Sequence, residues 1–189
     1  MGLLDVVDED DNVIGREDYD KIHSEGLRHR TVQIFVFQYP DYNVRNKLLV
    51  AQRSKKQKSN PLKFHHSAGG HVRLGQTYKE AAIEEVREEL FHDRKRLPEG
   101  FVFKEIAQYK NEPRPTDKEH TKLFVTSYPG PFSPCPDEIE RVFWQDLDEL
   151  RIDMSKSPEE FTPTFRNALS VYVTKLSQKQ LNKQSHVKK

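Results

Sequence analysis

Three glutamates set the first chemical expectation. Glu85, Glu88 and Glu89 stand at i, i+3 and i+4, and in a helix successive rotations of about 100° bring such positions onto one face. Crowded carboxylates repel one another unless a cation shares them. Hard divalent ions such as Mg²⁺ take oxygen ligands, usually one or two carboxylates together with water and substrate phosphates. Taken alone, Glu-x-x-Glu-Glu reads as the solvated face of a charged helix. The preceding segment changes that reading, because Gly69-Gly70-His71-Val72-Arg73-Leu74-Gly75-Gln76 runs directly into the helix that carries the acids. A glycine loop beside a carboxylate cluster suits a metal-bound phosphate, with Glu89 expected to face solvent.

A second cluster has the opposite sign. Arg53, Lys55, Lys56, Lys58 and Lys63 occupy a stretch without an acidic residue. A solvated charge run accounts for it equally well, yet its place just before the glycine loop lets guanidinium and ammonium groups clamp a diphosphate. The aromatic residues Phe64, Tyr109 and Trp144 can stack on an organic group, although core packing is the stronger expectation for each.

The elements that must position these groups follow from pattern. Leu3 to Val7 and Val13-Ile14-Gly15 read as short strands around an acidic turn, and Arg16 to Ile22 as one or two helical turns. Thr31 to Tyr39 and Lys47 to Arg53 are strands, and the Pro40-Asp41-Tyr42-Asn43 turn suggests a hairpin between them. Ser54 to Lys63 is a loop. Thr77 to Phe91 is the clearest helix: Thr77-Tyr78-Lys79-Glu80 has the capping-box form, and Ala82, Ile83, Val86 and Leu90 recur at helical spacing. Val102 to Tyr109, Thr121 to Tyr128 and Glu138 to Trp144 are further strands, and a last helix starts at Thr162-Pro163 and runs to about Leu181. Strands paired through turns, with one helix mid-chain and one at the end, point to an α/β domain whose mixed sheet is sandwiched by helices.

Composition bounds the rest. A chain of 189 residues is expected to be one domain, here residues 1–182 with a frayed tail over 183–189. Leu, Ile, Val and Phe make up about a quarter of it, enough for a core. The net charge of +1 gives no general pull toward a nucleic-acid duplex or an anionic membrane. A single cysteine, Cys135, excludes an internal disulfide and suits a reducing, cytoplasmic setting. No apolar run approaches the roughly 20 residues of a membrane span.

The spacing around the glutamates has a known counterpart. Gly70, five residues, Gln76, seven residues and then Glu84-Glu85-Val86-Arg87-Glu88-Glu89 resembles the Nudix box, G-x5-E-x7-R-E-U-x-E-E-x-G-U, where U is aliphatic. Gly70, Glu85, Val86, Glu88 and Glu89 match it; Gln76, Glu84 and Phe91 replace its first glutamate, its arginine and its late glycine. In the family that glutamate and arginine support the loop-to-helix turn, and a Gln76–Glu84 hydrogen bond can partly substitute. The resemblance implies a Nudix-type α/β/α sandwich with a mixed sheet and binding of Mg²⁺ or Mn²⁺. It also implies a metal site made of Glu85, Glu89, Glu88 and Gly70, with Glu85 and Glu89 the principal ligands and Glu88 a further ligand or an orienting carboxylate.

The similarity continues outside the box. Leu48-Leu49-Val50, Arg53, Lys56, Lys58, Pro61, Phe64, Ser67 and Gly70-His71 look like the isopentenyl-diphosphate isomerase branch of the superfamily. So do His29, Asp117-Lys118-Glu119 and Trp144-Gln145-Asp146-Leu147. In that isomerase histidines and a carboxylate-x-carboxylate pair hold a metal, which implies a second site at His29, His71, Asp117 and Glu119 suited to Zn²⁺ or Mn²⁺, with His23 a poorer match. The isomerase's essential cysteine falls on Gly69, so isomerisation is not expected. The combination is similar to isomerase-like Nudix hydrolases. A diphosphate linked to another moiety is the implied substrate, with Arg53, Lys56, Lys58 and His71 binding it and Glu85, Glu88 or Glu119 serving as the catalytic carboxylate. The rival reading is a fold that binds a nucleotide or diphosphate without turnover. The sequence admits a homodimer.

Overall fold

A computed structural model describes residues 2–40 and 47–187. A ribbon of β1 (Leu3–Val7) and β2 (Val13–Asp18) leads into α1 (Tyr19–Glu25), then β3 (His29–Phe37) and β4 (Lys47–Arg53). After the basic loop come two short strands, β5 (Phe64–His65) and β6 (Ala68–His71), and the glutamate helix α2 (Tyr78–Leu90). The chain then forms β7 (Lys104–Arg114), β8 (Asp117–Ser127), β9 (Ile139–Asp146), α3 (Leu147–Lys156), a 3-10 turn (Pro158–Glu160) and α4 (Pro163–Val187).

Several boundaries differ from the sequence reading, each for a local reason. Arg16 lies on β2, and α1 starts only after Asp18, whose side chain accepts from Lys21 N–H and caps the helix. Helix α3 was not expected, although Asp146 caps it by accepting from Asp148 and Glu149 N–H. Thr162 Oγ1 accepts from Phe165 N–H at the start of α4, as its position before Pro163 suggested, but the helix continues past Leu181 to Val187. Asp41, Tyr42 and Asn43 of the expected hairpin turn lie outside the described residues. Strands β3 and β4 are antiparallel on either side of it, paired at Phe37 and Leu48.

The main sheet has seven strands in the order β5-β4-β3-β8-β7, with β6 on β3 and β9 on β4. It is mixed, because β3 and β8 run parallel while the other pairs are antiparallel. Beyond Phe37 and Leu48 the strands β3 and β4 separate: β6 takes the freed edge of β3 and β5 that of β4. Buried Ser67 ties the opening together, its hydroxyl accepting from Val36 N–H at 2.8 Å and donating to Leu49 O at 2.6 Å.

Alternation along the strands sends side chains to two cores. Val32, Ile34, Val36, Leu49, Ala51 and Phe124 meet Ala82, Val86 and Leu90 of α2. Phe35, Phe37, Leu48, Val50, Leu123 and Val125 meet Leu147 and Leu150 of α3 and Phe165, Leu169 and Tyr172 of α4. Each fully buried Val, Leu or Phe side chain contributes about 1.5–3 kcal/mol, so both helical layers are held by their apolar stripes. The result is the expected α/β/α sandwich. Among the described residues no helix is long and apolar enough to cross a membrane.

Candidate active site

Strand β6 organises the site. Gly69 lies opposite Gln33, Gly70 opposite Val32 and His71 opposite Thr31. Residues opposite each other in an antiparallel pair share a face, so Gly70 faces α2 with Val32, whereas His71 faces the α3/α4 side with Thr31. Neighbouring residues of one strand thus serve two separate groups of side chains.

On the α2 side, Glu85 packs against Gly70 so closely that a Cβ there would lie 2.6 Å from the carboxylate carbon and 2.6 and 2.7 Å from its oxygens. Glu89 accepts from Gly69 N–H at 3.2 Å. It is only 7% exposed, which corrects the expectation that it faces solvent: the helix turns it under β6. Burial, and then the charge of Glu88, push the Glu85 carboxyl up to about 8. Burial, followed by Glu85 and Glu138, raises Glu89 well above the usual carboxylate range. Two such acids cannot both ionise favourably without a cation, and a hard divalent ion answers that need. The donor set fits it: two carboxylates converging under a glycine backbone.

Glu88 has a different position. Its oxygens accept from Arg73 Nη2 and Arg87 Nη2, both at 2.8 Å. Arg73 also donates to Glu84 at 2.9 Å, and Gln76 Nε2 donates to the other Glu84 oxygen. Gln76 Oε1 in turn accepts from Arg73 N–H at 2.9 Å. The substitutions at 76 and 84 therefore retain a bonded loop-to-helix turn, with Arg73 as its cation. Phe91, where the box has glycine, is fully buried and ringed by Phe101, Tyr128 and Phe132.

Arg53 is the loop cation whose charge bears on Glu89. Its guanidinium donates to Ser59 O at 3.1 Å and Gln57 Oε1 at 2.8 Å, so the loop holds it in one orientation. Lys56 instead meets Asp137 at 2.7 Å on the exposed surface, and Lys58 is exposed. Phe64 and Trp144 pack against the two cores, and Tyr109 packs while donating to Gln33 Oε1 at 2.7 Å.

The α3/α4 side gathers His23, His29 and His71, and His29 with Asp117 and Glu119, with ligand atoms within 4.8 Å of one another in each group. The ring centroids of the three histidines lie 5.0–5.2 Å apart, so His23, the poorer match to the family pattern, is brought in with the others by α1. His29 Nδ1 bonds Leu27 O at 3.1 Å and His23 Nδ1 bonds Tyr19 O at 2.9 Å. Those bonds fix Nδ1 as the protonated nitrogen and leave Nε2 as a lone pair. Buried His29 Nε2, His71 Nε2 and Asp117 Oδ1 have no hydrogen-bond partner, Asp117 Oδ1 lying 3.6 Å from His23 Nε2 and 4.0 Å from His29 Nε2, the pattern a metal would satisfy. Burial keeps both imidazoles neutral, lowering His29 and taking His71 to about 3, whereas burial and Asp117 push Glu119 up to about 8. Neutral imidazoles beside carboxylates suit Zn²⁺ or Mn²⁺.

Gly69 faces the same side. A Cβ on it would sit 2.3 Å from His66 Nε2 and 2.6 Å from Val32 O, so the space a residue-69 side chain would need is filled by the buried His66 ring. Sequence reasoning missed Arg73, His66 and Glu138 and gave Ser67 no role. For Arg73 alone there was a signal, since Glu84 in place of arginine calls for a cation and Arg73 lies in the adjoining loop.

A sandwich with a glycine strand braced on a glutamate helix defines the class, and the NUDIX domain profile matches residues 27–165. The chain belongs to the Nudix family, in its isopentenyl-diphosphate isomerase-like branch. It is 31% identical to an uncharacterized Nudix hydrolase of Yersinia pestis, over 95% of this chain and 90% of that protein. It is 28% identical to the isopentenyl-diphosphate Delta-isomerase of Serratia proteamaculans, over 86% and 87%. Among solved structures, DR0079 of Deinococcus radiodurans superposes with a TM-score of 0.67 at 22% identity, covering 82% of this chain and 90% of that one. Nudix hydrolases act on acid anhydrides and use divalent metals.

Proposed function

We propose that the chain hydrolyses a diphosphate linkage in a nucleoside-diphosphate-X type substrate, with Mg²⁺ or Mn²⁺ as cofactor. The carrying observation is the pair of carboxylates, half-buried Glu85 and buried Glu89, set under the Gly69-Gly70 backbone beside the oriented cation Arg53. A divalent ion held by these two acids supplies charge neutralisation for the diphosphate and acidifies water.

The chain's own groups account for the rest. Arg53, braced by Gln57 and Ser59, offers a fixed guanidinium to a phosphate oxygen and so positions the reacting phosphorus. Of the three candidate proton acceptors, Glu88 has both oxygens engaged by arginines, and Glu119 lies within the histidine group. Glu85, set against the Gly70 backbone, is the carboxylate left to take the proton from the attacking water. Gly70 keeps its carboxylate in place. Exposed Lys58 is the cation offered to the outer phosphate, whereas Lys56 is paired with Asp137.

Isomerisation is disfavoured by the packing at Gly69, where no proton-transferring side chain fits without moving backbone. The histidine group, with His23, His29, His71, Asp117 and Glu119, holds a second ion in this reading.

Turnover of nucleoside and dinucleotide diphosphates with Mg²⁺ or Mn²⁺, read as released monophosphate or phosphate, tests the proposal. Glu89→Gln keeps an oxygen for Gly69 N–H but loses the anionic ligand, and its turnover is expected to drop by about 100-fold or more with the melting temperature retained. An unchanged rate in Glu89→Gln refutes the metal assignment. Ligand-induced thermal shifts without turnover of any diphosphate favour the non-catalytic binding module.

A further inference from the structure

The histidine group is served by a row of side chains across three strands. His29 on β3 pairs with Glu119 on β8, and Glu119 pairs with Asn111 on β7. Partners opposite one another share a face, so the row points toward α4. Asn111 Nδ2 donates to Glu119 Oε2, and Thr121 Oγ1 donates to the same oxygen at 3.3 Å. Asn111 is 1% exposed, and its Oδ1 accepts from Asn167 Nδ2 of α4 at 2.9 Å. Thr121 in turn shares a 2.8 Å hydroxyl bond with Thr31.

We propose that Asn111 is a positioning residue that aims Glu119 at the ion held by the histidines, and that Asn167 locks the Asn111 amide in the donating orientation. A carboxamide presents a donor on one side and an acceptor on the other. With Asn167 donating to the oxygen side, the amino side must face Glu119. Were the amide reversed, its oxygen would oppose the carboxylate oxygen and the bond would become a repulsion. The relay fixes one carboxylate oxygen, so the other has a set direction relative to His29 and Asp117. It also makes the C-terminal helix, remote in sequence from every candidate ligand, a part of the metal centre. Outer partners of this kind alter metal affinity by about 10–100-fold.

This inference rests on the histidine group being a metal site, and the experiment separates the two. Metal-free full-length protein is titrated with Co²⁺, following the visible ligand-field bands, with His29→Asn as the control that identifies the centre. Wild type is expected to bind with a spectrum that His29→Asn lacks. Asn111→Ala should bind at least 10-fold more weakly with shifted bands. Asn167→Ala, a change at an exposed helix position that leaves the fold intact, should weaken binding about 3-fold or more, less than Asn111→Ala does. Absence of the bands in wild type overturns the metal site itself. Bands and affinities in Asn167→Ala and Asn111→Ala equal to those of wild type overturn the positioning role alone. Should Asn111→Ala not fold, the Asn167→Ala titration decides.

Discussion

At the scale of single residues, the two glycines of β6 exclude a side chain for different reasons, and their substitution should separate chemistry from stability. A Cβ on Gly70 would meet the Glu85 carboxylate at 2.6 Å. That group is the end of a flexible side chain, so the fold can accept Gly70→Ala by swinging Glu85 out of the site. A Cβ on Gly69 would meet the Val32 carbonyl at 2.6 Å as well as His66, and a backbone oxygen cannot swing away. Gly70→Ala is expected to retain most of its melting temperature while Mg²⁺-dependent turnover falls about 10-fold or more. Gly69→Ala should lose about 1–3 kcal/mol of stability by overpacking. Thermal melts and Mg²⁺ titrations of the two variants check this; equal melting temperatures and equal rates would show that neither contact constrains the site.

At the scale of elements, α2 was legible because everything that makes it is local. Thr77 and Glu80 form the capping box, and the apolar stripe and the acids follow from helical spacing. The burial of Glu89 was not legible, because it depends on β6 crossing over the helix, a contact between segments whose relation no local pattern encodes. Strands β5 and β6 are too short to show a period, and Ser67, which joins β3 to β4, looks like any loop serine. The departures from the box are also an element-scale matter, since Arg73, Gln76 and Glu84 tie the loop to the helix. Gln76→Glu alone sets a second carboxylate against Glu84, and Glu84→Arg alone sets a cation against Arg73 and Arg87. Each should destabilise by about 1 kcal/mol, and the double variant should recover a coupling of about 0.5–3 kcal/mol. Because Glu85 and Glu89 keep their contacts, the double variant is expected to turn over within about twofold of wild type. A tenfold gain would mean that the natural turn impairs the site rather than replacing the usual pair.

At the scale of the whole molecule, the near balance of 31 basic and 30 acidic residues conceals ionisable groups buried on both sides of one strand, and these couple stability to pH. Burial pushes the carboxyls of Glu85 and Glu119 from 4.5 up to about 8. The folded protein therefore holds protons that the unfolded chain has already released, and their contribution falls as pH rises through that interval. His29 and His71 act in the opposite direction. Their folded values are depressed, His71 from 6.5 to about 3, so their contribution grows with pH and is complete above about 6.5. Between about pH 6.5 and 8 only the falling carboxylate contribution remains. The melting temperature of the metal-free protein should drop over that window, by about 2–4 °C for each kcal/mol lost. Divalent ions select ionised carboxylates and neutral imidazoles, so added Mn²⁺ should raise the melting temperature more at pH 8 than at pH 6.5 and flatten the profile. Melts in chelator and in Mn²⁺ across this range measure both effects. A chelated protein whose melting temperature rises from pH 6.5 to 8 would show that the buried acids are ionised without metal, and that the two groups flanking β6 are held by contacts within the protein alone.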